Sequence, residues 1–395
     1  MDSFYWYRKT KVYFGTGEFQ NAAKRARGFG DRALLVTGRS AMKRLGLTDK
    51  LLLMLDKEDI QAVVYDKIEP NPRVDSVDQG AMMAEKEGCD FIIALGGGSV
   101  MDASKGIALV SVSKGSVWNY IRSWDKEPDR ISNALPVITI PTIAATGSEL
   151  NGTAVITKWD THEKAVLEHE ILTPVCSVID PELTVSTNSK TTADSGTDIL
   201  CHLLETYITG NNTSDVSDRM TEGLLQIVIE YTIKAIAHPD DIEARSYLSW
   251  ASSLALSGIP SAGRGGSFPI HQIEHVLSGW YDISHGRGLG IILVPYLEFM
   301  LDVRPERIAK LGERLFDYTG TMEEKAEAAI LKIKNWLNEI GIKEHLENVG
   351  IKHEALAVLS EDVIRLYGYK HGSLSGSSRL NKDAVVTILI KSMHV

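Results

Sequence analysis

The sequence has 395 residues, more than one hydrophobic core usually serves, and this length predicts two domains. Hydrophobic residues make up 44% of the chain and charged residues 24%, so the composition excludes a largely disordered protein. A net charge of -10 disfavours nucleic acids and anionic membranes as partners, because those surfaces select clustered Lys and Arg. A small molecule is the more natural ligand.

Cysteine usage indicates a reducing compartment. Cys89, Cys176 and Cys201 show no CxxC spacing, which argues against a disulfide framework and against a thiolate zinc site. The first twenty residues lack the apolar core of a signal peptide, and no run of about 18 uncharged apolar residues could span a bilayer. We therefore expect a cytoplasmic protein with no membrane partner and no nucleic-acid partner.

The first half of the chain alternates short apolar runs with amphipathic stretches, which is typical of a doubly wound parallel sheet. The predicted strands are Ala33–Thr37, Ala62–Tyr65, Phe91–Leu95 and Val137–Ile140, and the predicted helices between them are Ala41–Leu55 and Ser76–Lys86.

The character of the chain changes near Pro181. A polar stretch, DPELTVSTNSKTTADSGTD, reads as a linker and leads into long helical patterns without clear strands. The helices predicted there are Thr191–Thr209, Leu224–Ile236, Ala244–Leu256, Pro305–Phe316, Glu323–Glu339 and Lys382–Lys391. These patterns predict an α/β domain over residues 1–187 and an all-α domain over residues 188–395.

A glycine-rich turn follows the third predicted strand. Phe91–Leu95 runs into Gly96, Gly97, Gly98 and Ser99, and the next residues have helical spacing. A strand that opens onto a helix N-terminus presents unpaired N–H groups and a positive dipole end, which favours a pyrophosphate site. The alternative is a tight turn that needs only glycine conformations. Asp102 either caps the N–H groups of the loop or complements the helix dipole.

Two further loops follow predicted strands and are expected at the same carboxyl edge of the sheet, where ligands of such folds bind. They are Gly38-Arg39-Ser40 and Pro141–Glu149. A NAD site commonly places a carboxylate near a strand end, whereas a 2'-phosphate needs a cation. Gly38, followed by Arg39, Lys43 and Arg44, therefore favours NADP(H) over NAD(H). Read as structure alone, these residues are a turn and a solvated helix face.

The helical half contains a candidate metal site. Asp198 and His202 are four residues apart and share a helix face, as do His271 and His275, and His285 follows after Gly279, where the helix is predicted to end. One carboxylate and several imidazoles suit Fe2+ or Zn2+ and are poor ligands for Ca2+. The alternatives are a surface Asp/His pair and chance clustering of core histidines.

Several motifs together resemble the iron-containing alcohol dehydrogenases over nearly the whole chain. They are TKVYFGTG, GGGSVMDASK, TIPTIAATGSE, the D-x-x-x-H at Asp198 and His202, and the histidine run from His271 to His285. The stretch HQIEHVLSGWYDISHGRGLGIIL is most similar to the butanol dehydrogenase branch of that family. The resemblance implies an N-terminal dinucleotide-binding α/β domain followed by an all-α domain, in a dehydroquinate synthase-like architecture.

The resemblance also implies roles for individual residues. Metal ligation falls to Asp198, His202, His271 and His285, and His275 is the candidate proton relay. The implied dinucleotide contacts are Gly38, Ser40, Asn71, Gly97, Gly98, Ser99, Asp102, Thr142, Thr146 and Lys164. Ile143 and Ala145 depart from the commoner PTTAGTGSE form of the family loop, which implies the loss of one hydroxyl contact to the cofactor.

The activity implied by the resemblance is hydride transfer between NADPH or NADH and a short-chain aldehyde or primary alcohol such as butanal or butanol, assisted by one Fe2+ or Zn2+. Three rival functions stay open at this point. They are a glycerol-dehydrogenase-like polyol oxidoreductase, a dehydroquinate-synthase-like lyase, and a catalytically silent nucleotide-binding or metal-storage protein. Relatives form dimers, so we expect a homodimer. The aromatic start FYWY could pair with a second chain, and an ordinary edge strand explains it equally well.

Overall fold

The computed structural model describes residues 1–113, 115–211 and 213–393. It divides into two compact units: an α/β unit, Tyr7–Ser186, and a helical unit, which comprises Met1–Trp6 and Thr187–Val395. The sequence-based division places residues 1–6 in the first domain. In the structure they attach to the helical unit, where the Asp2 N–H donates to the Gly263 carbonyl over 3.0 Å.

The α/β unit is built on a six-stranded sheet with the order β1-β8-β5-β4-β2-β3, in which every pairing is parallel. A separate antiparallel ribbon joins β6 and β7. The strands are β1 Lys11–Phe14, β2 Arg32–Gly38, β3 Gln61–Ile68, β4 Phe91–Gly96, β5 Val137–Pro141, β6 Thr153–Lys158, β7 Glu163–Glu168 and β8 Cys176–Ile179. The helices are α1 Ala22–Ala26, α2 Ala41–Arg44, α3 Leu47–Asp56, α4 Val74–Glu87 and α5 Gly98–Val110.

Both faces of the sheet are covered. Alternate side chains of one strand enter different cores: Ile92 lies in one hydrophobic cluster, whereas Phe91 and Ile93 lie in another. Burial on both faces explains why these strands read as continuous apolar runs rather than as alternating patterns. The predicted doubly wound sheet is therefore confirmed.

The chain adds strands on opposite sides of β2: β3 pairs with one edge of β2, and β4 pairs with the other. From β2 the chain moves outward to β3, and from β4 it moves the other way through β5 to β8. In open parallel sheets such a switch point opens a crevice at the carboxyl ends of the strands. Gly38 and Gly96, the last residues of β2 and β4, therefore border the expected ligand edge.

Local differences from the predicted elements have physical causes. The helix predicted over Ala41–Leu55 is divided into α2 and α3, because Gly46 adopts a left-handed conformation with φ 69°. The helix that carries His271 does not end at Gly279. It continues to Tyr281 and stops where Asp282 takes φ 52°.

The helical unit holds one large hydrophobic core, and its described residues form helices with a single isolated bridge between Ser373 and Asn381. The helices are α6 Ser189–Thr209, α7 Asp215–Ala237, α8 Ile242–Ala255, α9 Pro269–Tyr281, α10 His285–Met300, α11 Pro305–Phe316, α12 Met322–Glu339, α13 Leu356–Tyr367 and α14 Lys382–Lys391. The predicted all-α class is confirmed. Helix α6 begins inside the stretch read as a linker, because the Asn188 side chain caps the Thr191 N–H.

Within the described part of the chain, none of the helices is both long and apolar enough to cross a membrane.

Candidate metal centre and dinucleotide site

Three helices of the helical unit bring the predicted metal ligands together. Asp198 and His202 lie one turn apart on α6, which is buried on nearly all sides. His271 lies in the first turn of α9, and His285 is the first residue of α10. His285 therefore starts a new helix after the end of α9.

The distances within this cluster are those of ligands around one ion. The Asp198 Oδ1 atom lies 3.6 Å from His202 Nδ1, 3.5 Å from His271 Nε2 and 3.7 Å from His285 Nε2. Ligand atoms that surround a tetrahedral ion at about 2.0–2.1 Å are separated from one another by roughly 3.4 Å. Each of the three imidazole nitrogens is thus at ligand spacing from Asp198 Oδ1, and Asp198, His202 and His271 also offer ligand atoms that all lie within 4.8 Å of one another.

Several polar atoms of this cluster lack hydrogen-bond partners, which indicates that a cation fits among them. Asp198 Oδ1, His202 Nδ1 and His271 Nε2 are buried and have no hydrogen-bond partner. Buried polar atoms without partners are costly, by about 1–3 kcal/mol each, and native proteins rarely leave several together. One carboxylate and three imidazoles fit Fe2+ or Zn2+, so the residues present suit the metal that the sequence implied.

Burial and the neighbouring charges shift the pKa values of these groups. Burial lowers the pKa of His202 to about 3, against the opposing effect of the Asp198 carboxylate. Burial also acts to lower the pKa of His271, but the carboxylates of Glu205 and Asp198 outweigh it and raise that pKa to about 10. Burial alone would raise the pKa of Asp198, whereas the surrounding imidazoles hold it below its usual value.

Two buried carboxylates that the sequence reading missed contact the ligands. The Nδ1 atom of His271 bonds to Glu205, and the Nδ1 atom of His285 bonds to Glu274. A carboxylate on the second ring nitrogen fixes the tautomer and orientation of a metal-binding histidine. Glu205 lies three residues after His202, on the face of α6 that also carries Asp198, and this position was the available signal.

His275 lies outside the group of Asp198, His202 and His271, and it offers a ligand atom within 4.8 Å of those of Glu274 and His285. Its Nδ1 atom lies 2.8 Å from the hydroxyl of Tyr367 at the end of α13, and its ring centroid lies 5.4 Å from that of His285. Burial raises the pKa of the Tyr367 hydroxyl above its usual value, so this group stays protonated. The arrangement is compatible with proton transfer at His275, whose role as a relay stays a prediction.

The ten predicted dinucleotide contacts all belong to the α/β unit. Gly97 and Gly98 lie where β4 ends and α5 begins, and Ser99 follows in the first turn. A Cβ atom on Gly98 would come within 2.4 Å of the Thr146 Cγ2 atom. Glycine is therefore required for the loop after β5 to approach this turn, and the N–H groups of the turn stay accessible at the helix N-terminus.

Asp102 does not cap the glycine turn. Its Oδ1 atom accepts from the Ser148 hydroxyl over 2.6 Å, and its Oδ2 atom accepts from the Val155 N–H over 2.9 Å. Thr142 lies in the loop after β5, as Ser148 does, and its N–H donates to the Gly96 carbonyl over 3.0 Å. Asp102 therefore attaches α5 to the segment that follows β5.

Lys105, the last residue of GGGSVMDASK, is a third residue that the sequence reading missed. Its fully buried ammonium donates to the Ser148 hydroxyl over 2.7 Å and to the Thr153 carbonyl over 2.6 Å. Burial lowers the pKa of Lys105 to about 8, although nearby carboxylates, including Asp102, oppose the shift. A lysine in an otherwise apolar helix pattern was the signal.

The remaining predicted contacts lie at or just after the ends of β2 and β3, except for Lys164, which lies on β7. Asn71, with φ 50°, accepts a hydrogen bond from the Lys164 ammonium over 2.9 Å, and both residues are buried. Gly38 ends β2, and the exposed Ser40 precedes α2. Arg39, between them, forms a 3.3 Å ion pair with Glu69, whose side chain is 8% exposed.

Two family models match the chain. "Iron-containing alcohol dehydrogenase" matches residues 9–181, and "Fe-containing alcohol dehydrogenase family, C-terminal" matches residues 192–393. NADH-dependent butanol dehydrogenase B of Clostridium acetobutylicum is 34% identical over 390 residues, which cover 97% of this chain and 98% of that protein. NADPH-dependent aldehyde reductase YqhD of Escherichia coli is 29% identical over 362 residues, which cover 91% of this chain and 92% of that protein.

Solved structures agree with these relatives. The crystal structure of NADH-dependent butanol dehydrogenase A from Thermotoga maritima superposes with a TM-score of 0.94 at 31% identity, covering 100% of this chain and 99% of that one. The resemblance inferred from the motifs, including its butanol dehydrogenase-like branch, is thereby confirmed. The chain belongs to the iron-containing alcohol dehydrogenase family, and it is an enzyme of the alcohol dehydrogenase and aldehyde reductase type that uses a nicotinamide coenzyme and a divalent metal.

Proposed function

We propose that the enzyme interconverts short-chain aldehydes such as butanal with their primary alcohols and holds one Fe2+ or Zn2+ through Asp198, His202, His271 and His285. The observation that carries the proposal is that one nitrogen of each histidine lies 3.5 to 3.7 Å from Asp198 Oδ1. Asp198, His202 and His271 also present buried atoms without hydrogen-bond partners. When bound, the ion supplies Lewis-acid polarisation of the substrate oxygen.

The protein's own residues orient the reaction and move the proton. Phe268 packs edge-on against the rings of His202 and His271, at centroid distances of 6.1 Å and 5.7 Å, and helps to keep water from the ligands. His275 is proposed to exchange a proton with the substrate at Nε2, because its Nδ1 atom is engaged by the Tyr367 hydroxyl. No side-chain nucleophile is required for hydride transfer.

The α/β unit, Tyr7–Ser186, is proposed to be the dinucleotide-binding domain and would bind the coenzyme along the carboxyl edge of its sheet. The N–H groups at Gly97, Gly98 and Ser99 would donate to the pyrophosphate at the start of α5. Thr142 and Thr146 lie in the loop after β5, beside that turn. Asp102 is proposed to act through the loop that it anchors.

We propose that the enzyme prefers NADP(H) to NAD(H) and that Arg39 determines this preference. The side chain is 70% exposed, it follows the end of β2, and Gly38 offers no carboxylate there to a ribose 2'-hydroxyl. The Arg39→Ala variant should raise KM for NADPH about fivefold to tenfold and leave KM for NADH unchanged, because an exposed cation contributes modestly to phosphate binding. Steady-state kinetics with both coenzymes measure this difference.

A second arginine in the same unit provides the control. Arg27 is 65% exposed and pairs with Glu58, so Arg27→Ala removes a comparable ion pair away from the sheet edge. Glu69→Gln weakens the ion pair that competes with a phosphate for Arg39, so this variant should lower KM for NADPH slightly. Equal losses for NADPH and NADH in Arg39→Ala would contradict the preference.

The activity itself is tested by following NADPH and NADH oxidation with a panel of aldehydes, on protein loaded separately with Fe2+ and with Zn2+. We expect net coenzyme consumption with butanal and similar aldehydes. Consumption confined to the oxidation of polyols would favour the glycerol-dehydrogenase-like alternative. Turnover without net coenzyme consumption would favour a lyase, and binding without turnover would indicate a silent protein.

We also propose a cytoplasmic homodimer. The described cysteines, Cys89, Cys176 and Cys201, are free and buried, which supports a reducing compartment. The FYWY segment is not part of a strand, and its four side chains are between 43% and 82% exposed, which leaves apolar surface for a partner. Light scattering after gel filtration distinguishes a monomer from a dimer.

A further inference from the structure

Glu205 joins two of the helices that carry metal ligands. It extends from α6, and its Oε1 atom accepts hydrogen bonds from the backbone N–H groups of Ile270 and His271, the latter over 3.3 Å. These N–H groups belong to the first turn of α9, where an intrahelical partner is lacking. Its Oε2 atom bonds to the Nδ1 atom of His271. One fully buried carboxylate therefore holds both the start of α9 and the ring of its ligand.

The chemistry of these contacts specifies a tautomer. Both oxygens of an ionised carboxylate can only accept, so the proton of a neutral His271 ring lies on Nδ1. The Nε2 lone pair then faces Asp198 Oδ1 at 3.5 Å and is directed toward the cation site. A proton on Nε2 instead would remove this nitrogen as a ligand.

A related contact holds the start of α10. Asp194, one turn before Asp198 on α6, accepts from the Ser284 hydroxyl over 2.7 Å and pairs with Arg287 at 2.7 Å. These two residues flank His285. Helix α6 thus supplies two ligands from its middle, and the carboxylates at positions 194 and 205 fix the helices that bring the other two.

We propose that Glu205 is a positioning residue that sets the tautomer of His271 and thereby the metal affinity of the enzyme. The proposal rests on the metal site proposed above. Glu274 has a different set of partners. Its Oε1 atom accepts from the Ser278 hydroxyl, and its Oε2 atom bonds to His285 Nδ1. A hydroxyl can donate or accept, so the contact with Ser278 survives when an amide replaces the carboxylate.

The test uses Glu205→Gln in the full-length protein, with Co2+ as the probe. Glutamine has one acceptor oxygen, and the native position requires two, one toward the backbone N–H groups and one toward His271. Either orientation of the amide therefore loses a contact or forces the wrong tautomer. We expect Co2+ affinity, measured by titration of metal-free protein, to fall by about 10- to 100-fold. The visible d–d bands of bound Co2+ should change as well.

Two matched variants separate positioning from a general loss of a buried carboxylate. Glu274→Gln should lower Co2+ affinity less than Glu205→Gln does. Glu222, buried on α7, accepts from the Tyr207 hydroxyl over 2.7 Å and contacts no metal ligand among its described hydrogen bonds. Glu222→Gln should change thermal stability while leaving the affinity and spectrum of Co2+ as in the wild type.

Each outcome decides between distinct conclusions. If wild-type protein fails to bind Co2+, the proposed metal site itself is wrong. If the wild type binds and folded Glu205→Gln matches it in affinity and spectrum, the positioning role is wrong. Should Glu205→Gln fail to fold, the ring nitrogen shifts of His271 in Zn2+-loaded wild-type protein decide. A proton on Nδ1 supports the proposal, and a proton on Nε2 overturns it.

Discussion

Replacement of His271 by alanine is expected to abolish metal binding and to lower kcat for butanal reduction by about 1,000-fold or more. The variant removes the proposed ligand whose Nε2 atom lies 3.5 Å from Asp198 Oδ1, and it leaves Glu205 without the ring that it contacts. Lewis-acid stabilisation of developing charge contributes several kcal/mol, and about 4 kcal/mol corresponds to the stated factor. Metal content by elemental analysis and steady-state kinetics measure the two effects.

Dinucleotide binding provides the internal control for this variant. The predicted coenzyme contacts belong to the α/β unit and His271 to the helical unit, so the Kd for NADPH should stay within about twofold of the wild-type value. His353→Ala alters an exposed histidine of the same helical unit and should leave metal content unchanged. A metal-free His271→Ala enzyme with full activity would remove the assignment.

Gly98→Ala is expected to weaken coenzyme binding by at least about tenfold while leaving metal binding intact. The new Cβ atom would lie 2.4 Å from Thr146 Cγ2 and 2.8 Å from Thr146 Oγ1, so the Thr146 side chain or the loop that carries it must move. Such overpacking costs about 1–3 kcal/mol, and it disturbs the turn that is proposed to bind the pyrophosphate. Fluorescence titration with NADPH measures the change in Kd.

Gly223→Ala is the matched control, because a Cβ atom at this helical position on α7 meets nothing within 4 Å. It should stabilise the protein by up to about 1 kcal/mol and leave the Kd for NADPH unchanged. An unchanged Kd in Gly98→Ala as well would mean that the turn does not approach the pyrophosphate.

Central strands and long helices could be predicted from the sequence because their patterns are strong. Burial on both faces makes β4 a continuous apolar run, and α11 matches its predicted bounds because its apolar residues repeat at three and four positions. The four-residue strands β1 and β8, by contrast, carry too short a pattern to separate from loops. The division between α2 and α3 depends on one glycine conformation that periodicity does not report.

The proximity of the proposed metal ligands was predictable because histidine spacing on a helix and the family motifs pointed to the same residues. Their supporting carboxylates were not. Glu205 meets His271 across 66 positions of the chain, and this meeting depends on how α6 packs against α9. The role of Asp102 was missed for a similar reason, since its partners Ser148 and Val155 lie in a later segment.

The attachment of residues 1–6 to the helical unit constrains the order in which a newly made chain can assemble. The Trp6 indole donates to the Ser257 carbonyl over 3.0 Å, and Asp2 bonds to Gly263. At synthesis rates of about 5–20 residues per second, the partners of Trp6 and Asp2 are synthesised on the order of 10–50 s after these two residues. During that interval Trp6 has no Ser257 carbonyl to accept its indole hydrogen bond, and a fragment that begins at position 187 lacks residues 1–6 entirely.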